Sequence, residues 1–136
     1  MGQPAACRVN TGAEVHRGGC LCGAVRYEVA GPLRGVTACH CSQCRRTSGH
    51  YAAMSSAPSA SITFTSAATL SWYRSSTTAE RGFCNICGSN LFWREFGSDT
   101  TSITAGTLDL PTGLTITSHI FTADKSDYYD IGDEAR

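Results

Sequence analysis

Cys39-His40-Cys41-Ser42-Gln43-Cys44 puts three thiols within six residues. Outward from it lie two further sets, Cys20-Leu21-Cys22 on one side and Cys84-Asn85-Ile86-Cys87 on the other; of the eight cysteines only Cys7 stands apart. An even count could mean disulfides, but that reading needs an oxidising compartment. The first twenty residues, MGQPAACRVNTGAEVHRGGC, hold no apolar stretch of signal-peptide length, and no later run approaches the ~20 residues of a membrane span. The expectation is a cytoplasmic chain whose thiols stay reduced, so that clustered cysteines read as metal ligands.

Spacing supports this. In an extended segment residues i and i+2 face the same side, so Cys20 and Cys22 can share one ion, and Cys39 and Cys41 another. Cys44 then returns to the ion of Cys39 and Cys41 by a turn. Cys84-Asn85-Ile86-Cys87-Gly88 has the shape of a zinc knuckle, in which Gly88 takes positive φ and lets backbone N–H groups approach the sulfurs. A closed structural zinc takes four protein ligands, whereas a catalytic one takes three and keeps a position for water or substrate. Two pairs and a triplet divide into four plus three: Cys20, Cys22, Cys84 and Cys87 on one zinc, Cys39, Cys41 and Cys44 on a second. Spacing alone leaves another division open, with Cys20 and Cys22 joining Cys39 and Cys41. Three thiolates on Zn²⁺ leave one net negative charge and four leave two, so nearby donors must offset it. Arg45, Arg46 and Arg81 are the candidates.

Around these motifs the pattern is that of a mainly β chain. Val25, Tyr27 and Val29 alternate with Arg26 and Glu28, and Gly31-Pro32 ends that strand. Ser61–Thr65, Leu70–Arg74, Asn90–Arg94, Thr101–Thr107 and Leu114–Phe121 read as further strands, with Pro111-Thr112-Gly113 as the turn before the last. No segment of helix length carries a 3.6-residue period. Short turns or single-turn helices are expected after Cys41 and near Lys125. Residues 1–13 read as a flexible N-terminus and 14–136 as one zinc-binding domain. A length of 136 residues, 41% hydrophobic and 16% charged, suits one packed domain. Eleven basic residues balance eleven acidic ones, which counts against a nucleic-acid partner.

Three motifs together resemble the glutathione-dependent formaldehyde-activating enzyme family, which includes centromere protein V. They are Gly18-Gly19-Cys20-Leu21-Cys22-Gly23-Ala24-Val25-Arg26-Tyr27, Cys39-His40-Cys41-Ser42-Gln43-Cys44-Arg45-Arg46-Thr47-Ser48-Gly49 and Arg81-Gly82-Phe83-Cys84-Asn85-Ile86-Cys87-Gly88-Ser89-Asn90-Leu91. Ser118-His119-Ile120-Phe121 is similar to the family's late strand. The resemblance runs from about residue 16 to the low 130s. It implies a β-tent fold of antiparallel sheets organised around zinc. It also implies two zincs per chain: one structural on Cys20, Cys22, Cys84 and Cys87, one catalytic on Cys39, Cys41 and Cys44. The activity it implies is that of S-(hydroxymethyl)glutathione synthase, a carbon–sulfur lyase adding glutathione to formaldehyde. The chain departs from the family at Asp127-Tyr128-Tyr129-Asp130, where relatives often carry a Trp.

On that reading the partners are a glutathione-like thiol and an aldehyde, with neither nucleic acid nor membrane involved. Arg45 or Arg46 would hold a substrate carboxylate through paired N–H donors. His40, between two ligands in an extended segment, should point away from their zinc. His50 and His119 read as structural, His16 as surface, and Cys7 as a free thiol. Trp72, Phe92 and Trp93 read as core, with room for one aromatic to line a pocket. The alternatives are a non-catalytic zinc module that binds a protein, and a redox sensor releasing zinc from Cys39, Cys41 and Cys44.

Overall fold

The structure is a computed structural model, and it describes residues 14–132. Cys7, the expected flexible N-terminus and the last four residues lie outside the described residues. Ten strands and one helix follow in chain order: β1 Val15–Gly19, β2 Arg26–Ala30, β3 Val36–Cys39, α1 Ser42–Ser48, β4 Ala52–Pro58, β5 Ile62–Ser66, β6 Leu70–Arg74, β7 Ala79–Cys84, β8 Asn90–Glu95, β9 Thr100–Thr104 and β10 Ile116–Ile120. Short 3-10 turns occupy Ser59–Ser61, Ala105–Thr107 and Thr122–Asp124.

The strands form two sheets. One has three strands in the order β1-β2-β5, the other seven in the order β10-β3-β4-β9-β8-β7-β6. All neighbours are antiparallel except β10 and β3, which run parallel. The sheets are therefore not purely antiparallel as expected. A parallel pair between segments some eighty residues apart in sequence leaves no local turn signal to read. Thr101–Thr107 does not stay extended either: β9 ends at Thr104, and Thr107 Oγ1 donates to the Thr104 carbonyl in the 3-10 turn that follows.

The core lies between the sheets. The alternation that runs from Val25 into β2 buries Val25, Tyr27 and Val29 against Ala57, Leu91, Phe92, Ile103 and Leu108. Tyr27 and Phe92 meet edge to face with ring centroids 5.1 Å apart. Burying each large aliphatic side chain here is worth about 1.5–3 kcal/mol. The Tyr27 hydroxyl lies 2.7 Å from Thr107 Oγ1 in this core. A Cβ at position 18 would stand 2.4 Å from that hydroxyl, so glycine is what lets β1 approach.

This packing uses one face of the seven-stranded sheet. The pairings Cys39 with Ala52, Thr37 with Met54, Ser56 with Ser102, Ser102 with Trp93 and Trp93 with Arg81 describe the other. Because side chains alternate along a strand, these residues share one surface, and α1 covers part of it. Among the described residues no helix is long and apolar enough to cross a membrane.

Candidate functional site

Two groups of thiols come together, and they are four plus three. Cys20, Cys22, Cys84 and Cys87 form one, Cys39, Cys41 and Cys44 the other; within each, all Sγ atoms lie within 4.8 Å of one another. All seven are free thiols. The division that spacing left open is decided by β1 and β7, which carry the two pairs to a common point across 62 residues of sequence.

In the four-thiol group, Cys20 and Cys22 do not lie on an extended segment. Gly19 of β1 pairs with Arg26 of β2, so residues 20–25 must turn the chain. The Gly23 amide donates to the Cys20 carbonyl and the Cys20 amide to that of Val25, with Gly23 at φ 84°. The tight turn, not a shared strand face, brings the two sulfurs to 3.6 Å. Cys84-Asn85-Ile86-Cys87-Gly88 is the expected knuckle: Gly88 has φ 81°, and the amides of Ile86 and Cys87 donate to Cys84 Sγ at 3.4 and 3.5 Å. Two hydroxyls complete it. Thr69 Oγ1 is 3.3 Å from Cys84 Sγ, and Ser89 Oγ lies 3.2 Å from Cys87 Sγ while accepting from the Leu21 amide. Ser89 and its own backbone amide pull the Cys87 thiol down to about 5. A tetrahedral zinc with bonds of about 2.3 Å needs sulfurs about 3.8 Å apart. Separations of 3.6 and 3.8 Å, with N–H donors already aimed at the sulfurs, fit such an ion.

The three-thiol group is built on a strand end and a helix start. Cys39 ends β3, held between Ala52 of β4 and Ile120 of β10. Cys41 caps α1: its Sγ accepts from the Cys44 amide at 3.2 Å and its carbonyl from the Arg45 amide. The turn that returns Cys44 is thus the first turn of α1, which runs for seven residues and closes at Gly49 with φ 82°. Cys44 is buried, whereas Cys39 and Cys41 are partly accessible. Hydrogen bonds from Cys39 and Cys41, then from Arg81, pull the Cys44 thiol down to about 5, and its bond to Cys44 with burial pushes Cys39 up. One thiolate is therefore stabilised among the three before any ion arrives.

These sulfurs form part of the wall of a cavity of about 310 Å³. Arg81 Nη2 lies 3.7 Å from Cys44 Sγ and 2.8 Å from Gln43 Oε1; Gln43 in turn donates to the Ser75 carbonyl. Arg81 is thus the expected charge partner of the triplet. Arg45 and Arg46, on α1, do not line the cavity; Arg34, Trp93, Met54 and Phe121 do. Neither Gln43 nor Arg34 stands out as a site residue in the sequence. Gln43 lies inside the motif and could have been suspected, while Arg34 reaches the cavity only through the pairing of its segment with β4. Phe121 is in the left-handed region at φ 54°, a conformation costing a non-glycine residue about 1–3 kcal/mol.

His40 does point away from the sulfurs, as expected. It is 1% exposed, with Nδ1 against the Tyr129 hydroxyl and Nε2 2.8 Å from His119 Nδ1. Burial, with His119, His50 and Lys125 nearby, holds it below the usual histidine range. His50 Nδ1 lies 2.6 Å from the Tyr128 hydroxyl. His50 and His119 thus both have ring partners, and Tyr129 packs against His40 and His50. His16 contacts Glu14 at 2.7 Å.

Residues 15–124 match the family described as glutathione-dependent formaldehyde-activating enzyme, a span that takes in both thiol groups, Arg34 and Arg81. The chain belongs to the glutathione-dependent formaldehyde-activating enzyme family. Membership points to a glutathione-related, formaldehyde-activating function. A crystal structure of a Rhodobacter sphaeroides protein is similar, with 30% sequence identity and a TM-score of 0.57 over 68% of this chain and 87% of that one. No curated protein sequence matches the chain significantly. The family match ends before Tyr128 and Tyr129.

Proposed function

We propose that this chain is a zinc-dependent carbon–sulfur lyase of the S-(hydroxymethyl)glutathione synthase type, joining glutathione or a similar thiol to formaldehyde. The observation that carries this is the contrast between the two thiol groups. Cys20, Cys22, Cys84 and Cys87 would close around a structural zinc, whereas Cys39, Cys41 and Cys44 leave a fourth position toward a cavity. A pure scaffold has no need of that open position. A zinc held there would supply Lewis acidity, making a bound thiol easier to deprotonate or an aldehyde oxygen more electrophilic.

The reaction forms a bond from the thiol sulfur to the carbonyl carbon. The C=O π pair moves to oxygen, which takes the proton given up by sulfur, so nothing is oxidised. This chain's residues would bring the reactants together and set the charge. Arg81 offsets the negative charge of the triplet through Cys44, and Gln43 fixes the guanidinium in place. Ala52, Met54 and Trp93 give the cavity an apolar wall, which strengthens electrostatic contacts by excluding water. Residues 14–136 act as one domain on this reading, in the reducing cytoplasm where the thiols stay free.

The test is exchange NMR on glutathione and formaldehyde at equilibrium, with the protein loaded with zinc. The expected result is two zincs per chain and faster exchange, abolished by Cys41→Ser in a protein that keeps its far-UV spectrum. Unaccelerated exchange with two zincs bound would remove the assignment.

A further inference from the structure

We infer that Arg34 is a specificity residue that holds the glycine carboxylate of the thiol substrate, so that the site accepts thiols bearing a carboxylate about one peptide unit beyond the sulfur-carrying residue. The inference rests on the reading just given and names what the cavity recognises.

Arg34 is held in place at the cavity rim by strand β4. Its amide donates to the Ser56 carbonyl at 3.3 Å, and its carbonyl accepts from the buried Ser55 hydroxyl at 2.6 Å. Its side chain is tied as well, Nη2 donating to the Met54 carbonyl at 2.9 Å and Nε to that of Gly35 at 3.2 Å. The guanidinium is thereby fixed without being neutralised. Three arginine–carboxylate pairs link charged side chains among the described residues, and Arg34 is in none of them. The cavity lining contains two arginines and no aspartate or glutamate. Arg34 is exposed at the cavity rim, so a clamped guanidinium stands open to an incoming ligand there. A pre-oriented guanidinium with unused N–H donors is what carboxylate recognition requires.

The placement along β4 gives the scale of the span between the thiol group and Arg34. Arg34 Nη2 sits at the Met54 carbonyl, whereas Cys39 lies opposite Ala52. Two residues along a strand is about 7 Å. In glutathione the glycine carboxylate carbon is six bonds from the sulfur, about 7 Å when extended. The γ-glutamyl carboxylate is eight bonds away, and its ammonium would find no acidic partner in the lining. Arg81 is taken up by Cys44 and Gln43 at the sulfur end, which leaves the carboxylate to Arg34.

Isothermal titration calorimetry on the zinc-loaded protein tests this with two ligands, glutathione and its glycine monoethyl ester. The ester should bind about tenfold more weakly to the wild type. In Arg34→Gln, glutathione should fall to the affinity of the ester while the ester itself is unchanged, and Arg34→Lys should recover part of the difference. Equal binding of the two ligands by the wild type, or a preference that survives Arg34→Gln, would overturn the role of Arg34 and leave the proposed activity standing. Binding of neither ligand would overturn the glutathione reading, and this inference with it. The wild-type comparison stands whether or not the variants fold.

Discussion

Replacing Arg81 by Met removes a charge while keeping the length of the side chain. Its Nη2 lies 3.7 Å from Cys44 Sγ in a half-buried setting. At that separation unit charges attract by about 1 kcal/mol in bulk water and about 4.5 kcal/mol at the effective dielectric of 20 found near protein surfaces. Partial exposure places the pair between these limits, at about 2 kcal/mol, which is roughly thirtyfold in affinity. Three thiolates around a divalent ion carry one net negative charge, so the loss falls on metal binding by Cys39, Cys41 and Cys44. Because Arg81 also helps hold the Cys44 thiol down, protons compete better for the sulfur in the variant. Zinc competition against a chromophoric chelator resolves the two sites. The three-thiol step should weaken about thirtyfold and the four-thiol step should not move, which makes the latter an internal reference. Added salt should shrink the difference between variant and wild type. An unchanged three-thiol step, or equal weakening of both, would refute the electrostatic role.

Two further outcomes test the core that carries the site. Burial pushes Tyr27 up from 10.0 to about 12, so in that window the unfolded chain has lost a proton the folded one keeps. The stabilisation is complete below pH 10 and drains away as pH rises, by about 3 kcal/mol in all. Urea titrations at about pH 8 and about pH 11 should show Tyr27→Phe losing less stability than the wild type across that interval; parallel losses would contradict the assignment. Gly18→Ala puts a Cβ within 2.4 Å of the Tyr27 hydroxyl and 2.5 Å of the Thr107 carbonyl, for a cost of about 1–3 kcal/mol. Gly106→Ala meets nothing within 4 Å and should stay within about 0.5 kcal/mol, so equal effects of the two would show that the close approach is not what demands glycine.

Much of the molecule was legible in the residues because local chemistry acts locally. Alternation found β2, β-branched and aromatic runs found β5, β6 and β8, and the knuckle was written in Cys84-Asn85-Ile86-Cys87-Gly88. Strands β1, β3, β4 and β7 escaped; Val36–Cys39 is short, and Ala52–Pro58 is made of small residues that carry little alternating contrast. The triplet read correctly as one group because its own turn closes it.

What the sequence by itself determined is the donor chemistry: seven clustered thiols, with a glycine where a knuckle needs positive φ. Only the tertiary structure decided which pair joined which. That choice depends on strands far apart in sequence, and nothing between residues 22 and 84 announces that their sulfurs will stand 3.8 Å apart. The same holds for the arginines. Arg45 and Arg46 are adjacent to the triplet in sequence, but the helix turns them away from the cavity. Arg34 comes to it from the segment hydrogen-bonded to β4 and Arg81 from β7, because sheet pairing, not sequence proximity, sets what faces a cavity.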